Sequence, residues 1–130
     1  MDERARTRLE HDEVAWLTTV GPDGQPQSSP VWFLWHDGDV YIASEPAALK
    51  VANIAANPRV ALHLEGAGAS DIVVTMEGSA TRTSGVPADR YAAKYATELA
   101  HIGMTAADYL ARFSVAIRIA PTRWRVFTSL

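Results

Sequence analysis

Apolar residues alternate with polar ones along most of this chain, and the alternating segments are separated by glycine- and proline-containing turns. Alternation with a period of two predicts half-buried β-strands, particularly where the residues are β-branched or aromatic. The predicted strands are 14–20, 27–35, 40–43, 59–64, 72–82, 114–120 and 124–127. An Asp-Gly pair at Asp37 predicts a tight hairpin turn, and Gly78 predicts a bulge within the fifth strand.

Helical spacing predicts four peripheral helices, at 2–12, 44–56, 87–101 and 105–112. The second is predicted to begin at Ser44 and to bury Leu49. The third carries Tyr91 and Tyr95 on one face. The fourth opens with Thr105 as its capping residue.

About seven strands joined mostly by short turns predict a mainly β fold, an antiparallel β-barrel with peripheral helices. A length of 130 residues predicts one domain over 1–130. Trp16 is predicted to lie in the core, Pro121 to interrupt the last part of the sheet, and 66–70 to form a loop.

Composition excludes several classes of function. A formal net charge of −3 gives no reason to expect nucleic-acid binding, and no apolar segment is long enough for a transmembrane helix. The charged N-terminus lacks the apolar segment of a signal peptide. The absence of cysteine excludes disulfides and thiolate catalysis and fits a cytoplasmic location. The four histidines lack metal-ligand spacing, so no metal site is predicted.

The segment 25–35, Gln-Pro-Gln-Ser-Ser-Pro-Val-Trp-Phe-Leu-Trp, is unusual for a core strand. Pro30 removes a backbone donor, and proline within a sheet is confined to edges, bulges and strand starts. Trp32 and Trp35 are predicted to point to opposite faces, so at least one should meet solvent, a partner chain or a ligand. We interpret this strand as a surface for a flat cofactor.

The segment from Ser44 to Lys50 is the best local candidate for an anion site. Free N–H groups and a partial positive charge at a helix start suit a phosphate or a carboxylate. A lysine there is unfavourable to the helix dipole unless an anion lies nearby. The alternative, a solvated lysine on an exposed helix face, is equally compatible with the sequence. No nucleophilic triad and no glycine-rich phosphate loop are present.

Taken in order, several motifs resemble the pyridoxamine 5'-phosphate oxidase-like split-barrel superfamily of flavin and deazaflavin proteins. Within it they are most similar to the branch that uses coenzyme F420. The resemblance covers nearly the whole chain, and its main motifs are Thr18–Pro26, Ser29–Phe33, Lys50-Val51 with Asn53-Ile54, Ala56–Leu62, Glu77–Ala80 and Pro121–Arg123.

This resemblance implies a split β-barrel and a homodimer with two cofactor sites at its interface. The residues that would line the flavin or deazaflavin ring are Ser29, Pro30, Val31 and Trp32. Those that would hold the cofactor phosphate are Ser44, Lys50 and Asn53. Those that would approach from the other subunit are Trp124 and Arg125. Arg59 is a motif residue that could equally hold the corner between helix and strand.

The implied function is that of a cytoplasmic oxidoreductase moving a hydride between reduced coenzyme F420 and a small organic acceptor. One alternative is the same fold holding FMN, as a pyridoxamine-phosphate oxidase or a flavin reductase. Another is a non-enzymatic protein that binds the cofactor or haem. Haem would require a histidine or tyrosine beside the aromatic strand, where His36 is the nearest histidine. The sequence identifies no catalytic acid or base and no substrate.

Overall fold

The computed structural model describes residues 1–66 and 72–128, so most of the loop predicted at 66–70 lies outside the described residues. The strands are β1 Val14–Val20, β2 Pro26–Trp32, β3 Leu34–His36, β4 Asp39–Ser44, β5 Arg59–Leu64, β6 Val73–Thr83 and β7 Val115–Phe127. The helices are α1 Glu3–His11, α2 Leu49–Ala56, α3 Ala88–Lys94, α4 Ala96–His101 and α5 Ala106–Arg112. In the described parts of the chain, every helix is too short or too polar to cross a membrane.

The strands form one antiparallel sheet in the order β2-β1-β5-β6-β7-β4-β3. Strands β2 and β3 lie at opposite edges of this order, although only Phe33 separates them along the chain. The sheet must therefore curl until its two edges meet. The resulting half-barrel confirms the predicted split barrel with peripheral helices.

Alternation along the strands builds the core on the concave side of the sheet. Leu17, Leu62 and Ile117 are among its fully buried members. Thr105 caps α5 as predicted, because its side chain accepts a hydrogen bond from the backbone of Asp108. A second, aromatic cluster lies between the helices and the start of β3, and it consists of Leu34, Tyr91, Tyr95, Leu99 and Tyr109.

The predicted strand 27–35 is wrong as a single element, because it breaks at Phe33 into β2 and β3. The Phe33 N–H donates to the hydroxyl of Tyr95 (2.8 Å), and the Phe33 carbonyl accepts from Lys94 (2.8 Å). Both backbone polar groups of Phe33 therefore bond to side chains, and neither is left for pairing with a neighbouring strand. The predicted helix 87–101 is likewise interrupted, at Tyr95.

The predicted start of the second helix is also wrong. Ser44 ends β4, and α2 begins only at Leu49, after a turn through Pro46. The residue before it, Ala48, provides no side-chain cap. Leu49 is 61% exposed rather than buried, whereas Ile54 packs in the core.

Pro121 does not interrupt the last strand, because β7 runs through it without a break. It pairs with Gly78, where the register between β6 and β7 shifts. A bulge is one of the few places where a sheet tolerates a proline. The bulge predicted at Gly78 is therefore confirmed, and it explains why Pro121 is accommodated.

Two further local predictions have opposite outcomes. The Asp37-Gly38 turn is confirmed, since both residues have positive φ (50° and 82°), as the tightest hairpin turns require.

The prediction that Trp16 lies in the core is wrong. Its side chain lies on the outer side of β1, partly exposed, and its indole N–H donates to the carboxylate of Glu65 (2.7 Å).

Candidate functional site

A cavity of about 330 Å³ lies beside the end of β2. It is lined by parts of β1, β2, β4, α2 and α5 and by the residue that follows α5, which contribute Val14, Pro30, Val31, Trp32, Ala43, Ser44, Lys50, Tyr109 and Phe113. We refer to this space as the β2 cavity. It brings together five of the residues singled out from the sequence, namely Pro30, Val31, Trp32, Ser44 and Lys50. They come from three elements, β2, β4 and α2, within 21 residues of sequence.

One end of the β2 cavity is cationic. Lys50 is the second residue of α2 and is half-buried. Burial lowers the pKa of its amine, and the nearby Glu45 carboxylate acts in the opposite direction. None of the ion pairs among the described residues includes Lys50. An ammonium group that is partly desolvated and lacks a counter-ion is stabilised when an anion binds beside it.

Ser29 lies on a neighbouring cavity of about 270 Å³, which is also lined by Thr19, Gln27, Ser28, Leu49 and Lys50. Lys50 thus contributes to both cavities, and the uncapped start of α2 is next to both. The free N–H groups of a first helical turn carry partial positive charge. The Lys50 ammonium and the start of α2 therefore both make the local electrostatic potential positive.

Asn53 is buried one turn after Lys50. Its side-chain amide donates to the hydroxyl of Thr19 (3.0 Å) and to the amide oxygen of Gln27 (2.8 Å). These bonds fasten α2 to β1 and β2 and so fix where Lys50 emerges. The hydroxyl of Ser44, which is buried, donates to the carbonyl of Glu45 (3.1 Å).

The other end of the β2 cavity is aromatic. Trp32 stacks on Tyr95, with ring centroids 4.5 Å apart, and on Tyr109, at 5.0 Å. Tyr109 in turn stacks on Phe113 at 4.2 Å. Trp35, by contrast, packs against the barrel core. The two tryptophans therefore do have different surroundings, and only Trp32 lines the β2 cavity.

Tyr109 and Phe113 were missed by the sequence reasoning. The capping motif at Thr105 predicted their helix, but nothing in the local pattern indicated that this helix covers β2. Arg112 and Glu45 form an ion pair (3.6 Å) between α5 and the turn before α2, which joins two walls of the cavity. Burial raises the pKa of the Tyr109 hydroxyl, so this side chain is neutral at physiological pH.

The three remaining predicted residues lie elsewhere. Arg59 is exposed and lines a separate cavity of about 530 Å³ with Glu77 and Thr122. Arg125 pairs with Glu77 and holds the pKa of that carboxyl below its usual value. Trp124 packs partly buried against the core. Within one chain these residues do not line the β2 cavity, and the approach of Trp124 and Arg125 from a second subunit stays a prediction.

The family model described as pyridoxamine 5'-phosphate oxidase matches residues 1–127. No curated protein matches the sequence.

Several solved structures share the fold. A conserved hypothetical protein, Rv2991 from Mycobacterium tuberculosis, is 24% identical with a TM-score of 0.73, and the match covers 98% of this chain and 85% of that one. A protein named F420 reductase is 24% identical with a TM-score of 0.68, covering 92% and 94% of the two chains. A FAD-binding protein from Mesorhizobium loti is 21% identical with a TM-score of 0.71, covering 97% and 94%. Identities this low show a common fold.

Proposed function

This chain belongs to the pyridoxamine 5'-phosphate oxidase family, and on that premise we propose that it is a cytoplasmic oxidoreductase that uses coenzyme F420. In this proposal a hydride passes between the reduced cofactor and a small organic acceptor. Membership of this family supports an oxidoreductase with a flavin-type cofactor in general. The choice of coenzyme F420 rests on the ordered sequence motifs and on the likeness to the structure named F420 reductase.

The observation that carries the proposal is a half-buried lysine at one end of a cavity whose other end is aromatic, a lysine that takes part in no ion pair among the described residues. A phosphorylated tricyclic cofactor has matching chemistry, an anionic tail and a flat ring. The residues present therefore fit such a group. We propose that Lys50, Ser44, Ser29 and the start of α2 hold the phosphate, with Asn53 supporting them.

When bound, a reduced deazaflavin or flavin supplies the hydride. The chain's own residues have other tasks. Pro30, Val31 and Trp32 would bind one side of the ring and orient it. Tyr109 and Phe113 would exclude water from the site, since their rings close its aromatic end. Orientation and desolvation are the main contributions that a protein makes to cofactor chemistry of this kind.

The first prediction concerns which cofactor binds. We expect the purified protein to bind coenzyme F420 more tightly than FMN, as measured by fluorescence titration of each cofactor under the same conditions. An acceptor screen with the reduced form of the tighter ligand would then test turnover. A protein that purifies yellow with FMN and ignores coenzyme F420 would overturn the deazaflavin assignment and leave an FMN-dependent oxidase or reductase.

A cofactor carrier without enzymatic activity is the rival from a different class. It would be supported if the cofactor bound tightly and no acceptor in the screen oxidised it. A haem carrier would need a histidine or a tyrosine beside the aromatic strand. His36 does not meet this requirement, because it lies in a different cleft with its ring 3.2 Å from the carboxylate of Asp37. Tyr109 does meet it, since it lines the β2 cavity and stacks on Trp32, so haem belongs among the ligands tested by titration.

We further propose that the working unit is a homodimer with cofactor sites at its interface. Small-molecule sites commonly have volumes of roughly 300–1,000 Å³. At about 330 Å³, the β2 cavity is small for a tricyclic ring, its phosphate and an acceptor together. A second subunit that brought Trp124 and Arg125 to the site would complete it.

The second prediction is that sedimentation equilibrium gives a mass about twice the 14.1 kDa of one chain. The measurement should be made with and without cofactor, because a ligand that bridges two subunits strengthens their association. A monomer under both conditions would contradict the shared site. It would also remove the proposed roles of Trp124 and Arg125, while leaving the lysine and aromatic ends of the cavity in place.

A further inference from the structure

The backbone of Phe33 is held by side chains from the junction of α3 and α4. The Phe33 N–H donates to the Tyr95 hydroxyl (2.8 Å). That hydroxyl lies 2.7 Å from the carbonyl of Glu13 and 2.9 Å from the carbonyl of Phe33, which are its two possible acceptors. Lys94 donates to the same Phe33 carbonyl (2.8 Å). Two consecutive residues, more than 60 positions later in sequence, thus bind both backbone polar groups of one residue.

Lys94 also contacts the side chain of Phe33, with its amine 3.7 Å from the ring centroid. Burial lowers the pKa of Lys94 to about 8, while the carboxylates of Asp12, Glu13 and Glu98 act in the opposite direction. Other titratable or charged groups line the cleft that Lys94 borders, and they are Arg6, Glu10, His36, Asp37 and Arg90.

The same junction contacts the wall of the β2 cavity. The Tyr95 ring is fully buried and stacks on Trp32 almost in parallel, at an interplanar angle of 8°. Trp32 is the last residue of β2, an edge strand, and is followed directly by the break at Phe33. The orientation of Trp32 therefore depends on contacts made outside the sheet, and those observed come from Tyr95 and Tyr109.

We propose that Lys94 and Tyr95 are positioning residues for the cofactor site: they hold Phe33 out of the sheet and thereby set the orientation of Trp32 in the cavity wall. This inference rests on the proposed function for its ligand. Its structural part, the control of Trp32, does not depend on any ligand. The two parts can therefore be tested separately.

The first test compares Tyr95→Phe with Tyr91→Phe. Both tyrosines are fully buried and one helical turn apart, but the Tyr91 hydroxyl faces that of Tyr109, whereas the Tyr95 hydroxyl binds the backbone of Phe33. Tyr95→Phe leaves the Phe33 N–H unpaired. We expect it to weaken binding of coenzyme F420 or FMN by about tenfold and to change the near-UV circular dichroism of the apoprotein. Tyr91→Phe should leave the cofactor affinity within about twofold of wild type and the near-UV signal close to that of wild type.

The second test uses the charge of Lys94. The wild-type near-UV signal should change with a midpoint near pH 8, where the amine loses its proton. Lys94→Arg should show the signal of wild type at low pH throughout this range, because arginine stays charged, whereas Lys94→Met should show an altered signal that does not titrate. Lys50→Met serves as the control for the other lysine and should retain the transition.

Deprotonation of Lys94 also changes the free energy of unfolding, and the direction of that change follows from the pKa shift. The folded-state pKa of Lys94 lies below its usual value of 10.5, so between about pH 8 and 10.5 the unfolded chain binds more protons. Stability against urea should therefore gain a favourable contribution from Lys94 as pH rises through this interval. That contribution should be absent in Lys94→Met.

The outcomes separate the two parts of the inference. If Tyr95→Phe and Lys94→Met leave the near-UV signal and cofactor affinity unchanged, the positioning role is wrong, even if the melting temperature falls. If wild type binds neither coenzyme F420 nor FMN, the proposed function fails, and the near-UV signal still decides whether the pair orients Trp32. Should Tyr95→Phe not fold, the Lys94 pH series alone decides the outcome.

Discussion

Lys50→Met is expected to weaken cofactor binding by about 10- to 100-fold, because hydrogen bonds to charged groups each contribute roughly 1.5–3 kcal/mol. Lys50 is the only lysine of the β2 cavity and has no ion-pair partner among the described residues. Within the described part of the chain, only the Glu45 carboxylate acts on its charge, and it does so without an ion pair, so an anionic ligand would meet a largely uncompensated amine. The measurement is a fluorescence titration with coenzyme F420 and with FMN at two salt concentrations, since the electrostatic part weakens with salt.

The control for Lys50→Met is Arg6→Gln, which removes one positive charge from an exposed position on α1 outside the β2 cavity. It should leave cofactor affinity unchanged. Burial lowers the pKa of Lys50, which means that the charged amine is less favourable in the folded state than in the unfolded chain. Lys50→Met should therefore not reduce the stability of the fold. Wild-type affinity should fall with rising pH, beginning below the usual lysine range. Equal affinities of Lys50→Met and wild type would refute the anion site.

Gly78→Ala is expected to destabilise the fold by about 2–3 kcal/mol, an effect typical of overpacking in a core. A Cβ atom at Gly78 would lie 2.8 Å from the carbonyl oxygen of Ala120 and 2.9 Å from a methyl group of Ile119. Neither can withdraw easily, because the first is backbone in β7 and the second is a buried core side chain. The bulge opposite Pro121 brings the two strands this close.

Urea unfolding followed by circular dichroism measures this loss, and thermal melting should show a decrease of roughly 3–5 °C per kcal/mol for a chain of this size. Gly85→Ala is the matched control. Nothing lies within 4 Å of a Cβ atom at Gly85, and its φ is not positive. We expect that change to be neutral or stabilising by up to about 1 kcal/mol. Equal effects of the two substitutions would contradict the close approach at the bulge.

Most strands could be predicted from the sequence, because alternation between a buried and an exposed face is a local property. The segments β1 and β5 begin and end where the pattern indicates, and the turn at Asp37-Gly38 requires positive φ that these two residue types tolerate. The curled sheet follows less directly. It depends on strand order, which brings β2 and β3 to opposite edges with only Phe33 between them.

The candidate site was predictable in part. The sequence indicated Pro30, Val31, Trp32, Ser44 and Lys50, and all five line one cavity. Their convergence reflects motifs of a known family rather than local physics, since composition and spacing left Lys50 compatible with plain solvent exposure. The helix start was misplaced because Ser44 and Pro46 have the local chemistry of a cap, while pairing of β4 with β7 retains Ser44 in the sheet.

By itself, the sequence determined the β pattern, the bulge at Gly78 and five of the residues that one cavity brings together. Only the tertiary structure decided where the long aromatic strand breaks and which helix covers it. The break at Phe33 depends on hydrogen bonds from Lys94 and Tyr95, and the cover depends on Tyr109. A buried backbone N–H or carbonyl forms its hydrogen bond with whichever partner the folded structure brings to it. The partners of Phe33 lie some 60 residues away in sequence, so no local sequence pattern can indicate them.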